Sequence, residues 1–137
     1  MKRWGLGMAV VLLLGMLLFG CHKKEASPEQ APVSLNQEVV PLFTRSCAVC
    51  HRRVDGDGEA VAHGVYYENA EDILAKVGTA ILPGRPTESL LLKVLGRSYP
   101  VGTRLVTMPP PGSGVPAWSE AELARFAQWI LEGAKAP

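Results

Sequence analysis

The protein has 137 residues, and its 14 Lys and Arg side chains nearly balance its 13 Asp and Glu, which gives a formal net charge of +1. A charge this close to zero, with no basic patch, argues against a nucleic-acid-binding protein and gives no strong long-range attraction for a charged partner. The length suits one folded domain, and the sequence has no internal repeat.

Residues 18–21, Leu-Phe-Gly-Cys, close an apolar N-terminal segment and resemble the lipidation box of a bacterial lipoprotein. Lys2 and Arg3 precede a short apolar run over residues 4–20, which ends at Cys21. A basic start, a short apolar stretch and a small residue before the break are typical of a secretory signal peptide. The alternative is an uncleaved membrane anchor, for which the run is short against a hydrocarbon core about 30 Å thick. We therefore predict a signal peptide over residues 1–20, lipid on Cys21, and a protein anchored to a membrane on the periplasmic side of the cell envelope.

A polar segment, residues 21–35, separates this leader from the folded domain. It is rich in Pro, Ala, Ser and Glu, and such a composition buries too little apolar surface to order itself. We therefore predict a flexible tether here. The first helix is expected over residues 36–46, with Pro41 near its start, and it would deliver Cys47 to the site that follows.

Residues 47–51, Cys-Ala-Val-Cys-His, carry the strongest chemical signal in the chain. Two thiols at this spacing, followed directly by a histidine, indicate covalent attachment of one c-type haem. The sulfurs of Cys47 and Cys50 would add across the two vinyl groups, and His51 would bind the iron through a ring nitrogen. One alternative is a disulfide between the two cysteines, as in thioredoxin-like enzymes, although no βαβ pattern surrounds them. The other is a zinc site that adds His63, although the adjacent Cys50 and His51 are poor tetrahedral partners.

Two further short helices and a long loop are predicted after this motif. The helices are expected over residues 69–77 and 87–95, where apolar residues recur at helical spacing, and Gly96 ends the second. A proline-rich loop follows over residues 99–115. His63 stands between Ala62 and Gly64, which favours an exposed loop histidine over an iron ligand.

The loop carries Met108, the predicted ligand on the other side of the iron. The other three methionines lie in the leader, so Met108 is the only one in the predicted mature chain. Three prolines follow it, and they fix the backbone and remove donors. A flexible thioether on a stiff loop suits a soft ligand held near iron, and methionine opposite histidine raises the reduction potential. The alternative is an apolar plug for the loop.

The last helix has the clearest boundaries. Ser119 and Glu122 form a capping box at its start, and Gly133 is expected to end it. No strand-like alternation of any length appears in the sequence. We therefore predict an all-α domain over residues 36–135.

Taken in order, several of these motifs resemble a mono-haem cytochrome c domain, most closely the planctomycete-type branch. The motifs are residues 47–51, Leu-Pro-Gly-Arg-Pro-Thr-Glu-Ser-Leu-Leu at 82–91, Met-Pro-Pro at 108–110, Trp-Ser-Glu at 118–120, Trp-Ile at 129–130 and Gly-Ala at 133–134. The resemblance implies a small cytochrome c-like helical fold around one covalent haem c, with the first and last helices crossing beside it. It also implies that His51 and Met108 are the axial ligands.

A haem would add a large apolar plate to a domain whose own core is thin. Four side chains are expected to cover it: Leu90, Leu91, Phe126 and Trp129. Partners for the haem propionates would come from a pool of five arginines: Arg52, Arg53, Arg85, Arg97 and Arg104.

The function expected from these residues is electron transfer, with no enzymatic reaction of its own, to and from redox partner proteins that the sequence does not identify. With both axial positions filled by protein, the iron has no open site for a substrate. Two alternatives stay open: a haem enzyme or gas sensor whose sixth ligand is labile, and a fixed accessory subunit of an oxidoreductase complex.

Overall fold

Most of the regular secondary structure in the folded domain is helical. The structure, a computed structural model, describes residues 31–53 and 64–136, and within these ranges it has four α-helices and one two-stranded hairpin. A mostly helical domain is therefore confirmed, with the hairpin as an addition. No helix in this part of the chain has the length and apolar character needed to cross a membrane. The predicted signal peptide, Cys21 and His63 lie outside the described residues.

The first helical segment begins with a π-helical turn, Leu35–Val39, which runs directly into helix α1, Val40–Ser46. The Ser34 side chain caps the turn, and the Val40 N–H donates to the Leu35 carbonyl, five residues back. The wide turn accommodates Pro41, which has no N–H to donate, near the start of α1. Val33 and Leu35, assigned above to the tether, are buried, so the packed domain begins before residue 36.

Helices α2 and α3 are short, as predicted. Helix α2 spans Ala70–Leu74, and the Asn69 side chain caps it by accepting the Asp72 N–H at 3.0 Å. A 3₁₀ turn, Pro86–Glu88, precedes helix α3, Leu90–Gly96. Both helices are shorter than their predicted spans: α2 ends at Leu74 rather than at residue 77, and the 3₁₀ turn stands where α3 was expected to begin.

The hairpin lies inside the predicted proline-rich loop. Strand β1, Tyr99–Val101, pairs antiparallel with strand β2, Arg104–Val106, and Gly102 makes the turn at a φ of +59°. Strands of three residues are too short to show the alternation by which a strand is recognised in a sequence. The hairpin returns the chain to the domain just before Met108.

The last helix, α4, spans Glu120–Leu131 and has the predicted capping box. The Ser119 Oγ accepts the Glu122 N–H at 3.3 Å, and the Glu122 carboxylate accepts the Ser119 N–H at 2.8 Å. Gly133 follows the helix with a φ of +103°, a conformation that favours glycine. The predicted start and end of this helix are both confirmed.

Aromatic side chains join the first and last helices in the core. The rings of Phe43 in α1 and Phe126 in α4 meet edge to face, with centroids 5.3 Å apart. Tyr67 and Trp118 each lie with ring centroids 5.2 Å from that of Phe43. Each such pair contributes about 0.5–1.5 kcal/mol beyond the apolar area it buries. The cluster fixes the end of α1, from which the cysteine motif continues.

Two ion pairs connect the same two helical segments at the surface. Arg45 lies 2.9 Å from Glu122, and Arg125 lies 2.7 Å from Glu38. The Arg125 guanidinium donates through both Nε and Nη2 to the Glu38 carboxylate. This hydrogen bonding holds the pKa of Glu38 below its ordinary value.

Candidate functional site

A tight turn after α1 holds the predicted attachment residues together. The Cys47 N–H donates to the Phe43 carbonyl at 2.7 Å, which continues the helix by one residue. The N–H groups of Cys50 and His51 both donate to the Cys47 carbonyl, at 3.0 and 2.7 Å. Because of this turn, the side chains of Cys47, Cys50 and His51 all line one cavity.

The two thiols are free, with Cys47 buried and Cys50 half-buried. Burial raises the pKa of the Cys47 thiol to about 12. Redox-active cysteines depend instead on a lowered pKa in electropositive surroundings. Cys47 therefore lacks the setting of an attacking thiol in a thioredoxin-like enzyme.

The zinc alternative has little support in this structure. Within residues 31–53 and 64–136, no three His, Cys, Asp or Glu side chains converge on a metal site. The fourth ligand of that alternative, His63, lies outside these ranges. A haem iron held by one histidine and one methionine needs no such cluster.

The His51 ring is oriented through one of its nitrogens. Its Nδ1 lies 3.1 Å from the Val65 carbonyl oxygen. A carbonyl oxygen only accepts, so Nδ1 carries the proton and donates it. Nε2 then has a free lone pair, which is the form in which a histidine binds a metal.

Tyr67 supports the same ring from the side. The His51 and Tyr67 rings meet edge to face with centroids 5.5 Å apart, and the Tyr67 N–H donates to the His51 carbonyl at 3.0 Å. Burial, with a smaller contribution from Cys47, raises the pKa of Tyr67 to about 12. Tyr67 thus stays neutral, and it lines the cavity.

Met108 reaches the site from a segment that is distant from the cysteine motif in the sequence. Its N–H donates to the Val94 carbonyl of α3 at 2.8 Å, so a helix fixes the backbone at this position. Its side chain is half-buried against the core and lines the same cavity as Cys47, Cys50 and His51. The structure therefore brings together all four residues that were predicted to hold a haem.

The cavity has a volume of about 260 Å³ and a mostly apolar lining. Its wall consists of Ser46, Cys47, Cys50, His51, Tyr67, Leu91, Leu95, Met108, Pro109, Pro110, Ser113 and Val115. The Ser46 Oγ is buried and has no hydrogen-bond partner in the described part of the chain. A buried hydroxyl without a partner at the wall of a cavity is a position where a bound group would supply one.

Some of the predicted lining is wrong. Leu91 lines the cavity, but Leu90 is 37 % exposed and does not. Phe126 and Trp129 are buried in the core rather than at the cavity. In a short helix adjacent residues point to different sides, so α3 contributes Leu91 and Leu95, which are four residues apart.

The predicted arginine pool does not reach the cavity wall. Arg53 pairs with Glu68 and Asp72, and Arg85 pairs with Glu88. None of the five predicted arginines is among the residues that line the cavity within the described ranges. Ser46 and Ser113, which no sequence motif marks, supply polar groups there instead.

Comparison of the chain with protein-family models, with curated proteins and with solved structures gives no match. The chemistry of the site therefore follows from the cavity itself. Two thiols, a thioether and an imidazole nitrogen face one apolar space, and sulfur and imidazole are the ligands preferred by transition metals such as iron and copper.

Proposed function

We propose that the protein is a mono-haem c-type cytochrome that transfers electrons in the cell envelope. The observation that carries the proposal is the meeting of Cys47, Cys50, His51 and Met108 at one cavity. Cys47, Cys50 and His51 lie within five consecutive residues, but Met108 comes from a separate segment, which is hydrogen-bonded to α3. The bond from the Met108 N–H to the Val94 carbonyl places this side chain at the same cavity as the cysteine motif.

The residues at the cavity fit a covalently held haem. The free thiols of Cys47 and Cys50 would form the two thioether bonds, and His51 Nε2 and the Met108 sulfur would bind the iron. The mostly apolar wall suits the flat face of a macrocycle, and a propionate oxygen of the haem could accept a hydrogen bond from the Ser46 hydroxyl, which has no partner in the described part of the chain. When bound, the haem supplies an iron that changes between ferric and ferrous states.

The chain sets how readily that change occurs. The Val65 carbonyl accepts the Nδ1 proton of His51, which orients the ring and makes Nε2 a stronger donor to the metal. The Met108 thioether would favour ferrous iron and raise the reduction potential. The mostly apolar wall would disfavour the additional charge of the ferric state. If His51 and Met108 both bind the iron, no position is left for a substrate, and this favours an electron carrier over a haem enzyme or gas sensor.

The proposed function is tested by a redox titration of the purified protein together with a carbon monoxide binding assay. We expect one reversible one-electron transition and a ferrous spectrum that carbon monoxide leaves unchanged. Rapid binding of carbon monoxide by the wild-type protein would show that the sixth position is labile, in favour of the sensor or enzyme. A c-type spectrum seen only in a purified complex would favour the accessory subunit.

We further propose that lipid on Cys21 anchors the domain to a membrane beside its redox partners. A tethered domain meets membrane partners at a raised effective concentration. We expect Cys21→Ser to release the protein from the membrane fraction, because the acylated side chain is lost. Mass spectrometry of the wild-type protein provides the check, since a mature N-terminus elsewhere and without lipid would contradict the anchor.

A further inference from the structure

Residues 51–53, which begin at the last residue of the cysteine motif, form one run that is hydrogen-bonded to a second run, residues 65–68. The His51 ring donates to the Val65 carbonyl, and the Tyr67 N–H donates to the His51 carbonyl. One step further along, the Arg53 N–H donates to the Glu68 carboxylate at 2.9 Å. The position of the Val65 carbonyl against His51 therefore depends on how these two runs are held.

The buried carboxylate of Asp72, in α2, connects the two runs. The Asp72 side chain is only 7 % exposed, and Arg53 donates to both of its oxygens, through Nη1 at 3.0 Å and Nη2 at 2.6 Å. The Glu68 N–H donates to the same carboxylate at 2.9 Å. Asp72 thus binds the run that carries His51 and the run that carries Val65 at the same time.

Arg53 makes the matching set of contacts from the other side. Besides the two bonds to Asp72, it donates through Nη1 to Glu68 at 3.0 Å. Its guanidinium carbon lies 4.5 Å from the centre of the Tyr66 ring. One arginine therefore contacts the residues on both sides of Tyr67, which itself supports the His51 ring.

We propose that Arg53 and Asp72 are positioning residues for His51, which hold the Val65 carbonyl where it accepts the Nδ1 proton. We call the two residues the Arg53–Asp72 clamp. Neither lines the cavity, so they act through the 65–68 run. The consequence for an iron ligand rests on the proposed function: a well-held acceptor makes His51 a stronger donor and favours ferric iron.

The structure offers a matched control for this clamp. Arg125 and Glu38 form a second two-pronged arginine–carboxylate pair, with bonds of 2.8 Å from Nε and Nη2. That pair joins the first and last helical segments, and within the described residues it has no hydrogen bond or ion pair to the 65–68 run or to His51. Loss of the Arg125–Glu38 pair should lower the free energy of unfolding without changing the position of His51.

The first measurement is the solvent exchange of the His51 Nδ1 proton, followed by nuclear magnetic resonance in the reduced wild-type, Arg53→Gln and Arg125→Gln proteins. We expect exchange to accelerate by about three- to tenfold in Arg53→Gln, the factor for weakening one hydrogen bond. In Arg125→Gln it should stay at the wild-type rate. Equal exchange in all three proteins would overturn the proposal.

The second measurement is the reduction potential, for which the clamp and a simple charge effect predict opposite signs. Removal of the Arg53 charge, acting only through space, would favour ferric iron and lower the potential. Loss of positioning should raise it, and we expect the ferrous to ferric equilibrium to shift by about tenfold, the lower end for outer partners of a metal ligand. A lowered potential in Arg53→Gln would contradict the proposal.

Arg53→Lys covers the case in which Arg53→Gln does not fold. Lysine keeps the charge but cannot reproduce the two-pronged bond to Asp72, so we expect a smaller change in the same direction for both measurements. Wild-type values in Arg53→Lys would show that charge alone matters and would overturn the positioning role. A wild-type protein without covalent haem, whose Nδ1 exchange still responds to Arg53→Gln, would refute the proposed function and leave the positioning of His51 supported.

Discussion

Replacement of Cys47 and Cys50 together by alanine is expected to abolish covalent haem attachment. The two thiols face the same cavity from one turn, and without them no thioether bond can form. The domain should also lose much of its stability, because it then lacks the plate that would fill a cavity of about 260 Å³ between α1, α3 and the Met108 loop. Extraction with acidified organic solvent measures the bond directly, since covalent haem stays with the denatured polypeptide.

Cys21→Ser is the matched control, because it removes a cysteine outside the domain and should leave the extraction-resistant haem in place. Haem that leaves the wild-type polypeptide during this extraction would refute covalent attachment. Retention of haem by the double alanine variant would mean that other groups hold it.

Met108→Ala is expected to lower the reduction potential and to open the iron to carbon monoxide. The thioether favours ferrous iron, and alanine leaves the sixth position without a protein ligand. The fold should survive, because the Met108 backbone is held by its own N–H bond to Val94 and not by the side chain. Met108→His should keep a six-coordinate iron at a lower potential, which optical spectra and redox titration can follow.

His63→Ala serves as the control for the ligand assignment and should change neither the spectrum nor the potential. The opposite pattern, in which His63→Ala opens the iron and Met108→Ala has no effect, would mean that two histidines bind it. In that case Met108 would be an apolar plug for its loop.

The meeting of the cysteine-motif residues at one cavity could be predicted because the geometry of the motif is local. Cys47, Cys50 and His51 are brought together by a single turn, and their spacing alone contains that information. The boundaries of α4 were predictable for the same reason, since the Ser119 capping box and Gly133 act within a few residues. Met108 was singled out by a different route, because it is the only methionine in the predicted mature chain.

The features that the sequence did not reveal depend on contacts between distant segments. Arg53 appeared as one of several arginines available to haem propionates, whereas it binds Asp72, nineteen residues away. Nothing in the local pattern of α2 marks Asp72 as buried, because a charged residue in the first turn of a helix is normally solvated. The exposure of Leu90 was missed because apolar spacing in so short a helix does not fix which side faces the core.

The point at which the chain becomes fixed to the domain limits how far the domain can lie from a lipid anchor. Arg125 donates to the Ala31 carbonyl at 3.3 Å, and Glu132 accepts the Val33 N–H at 2.9 Å, so helix α4 holds the chain from Ala31 onward. If Cys21 carries lipid, only nine residues lie between it and Ala31, and the ten steps from one to the other span at most about 35 Å when fully extended. The cavity then stays close to the lipid headgroups. The protein would meet its partners by lateral diffusion along the membrane, and the redox centres of those partners would have to lie close to the same membrane surface.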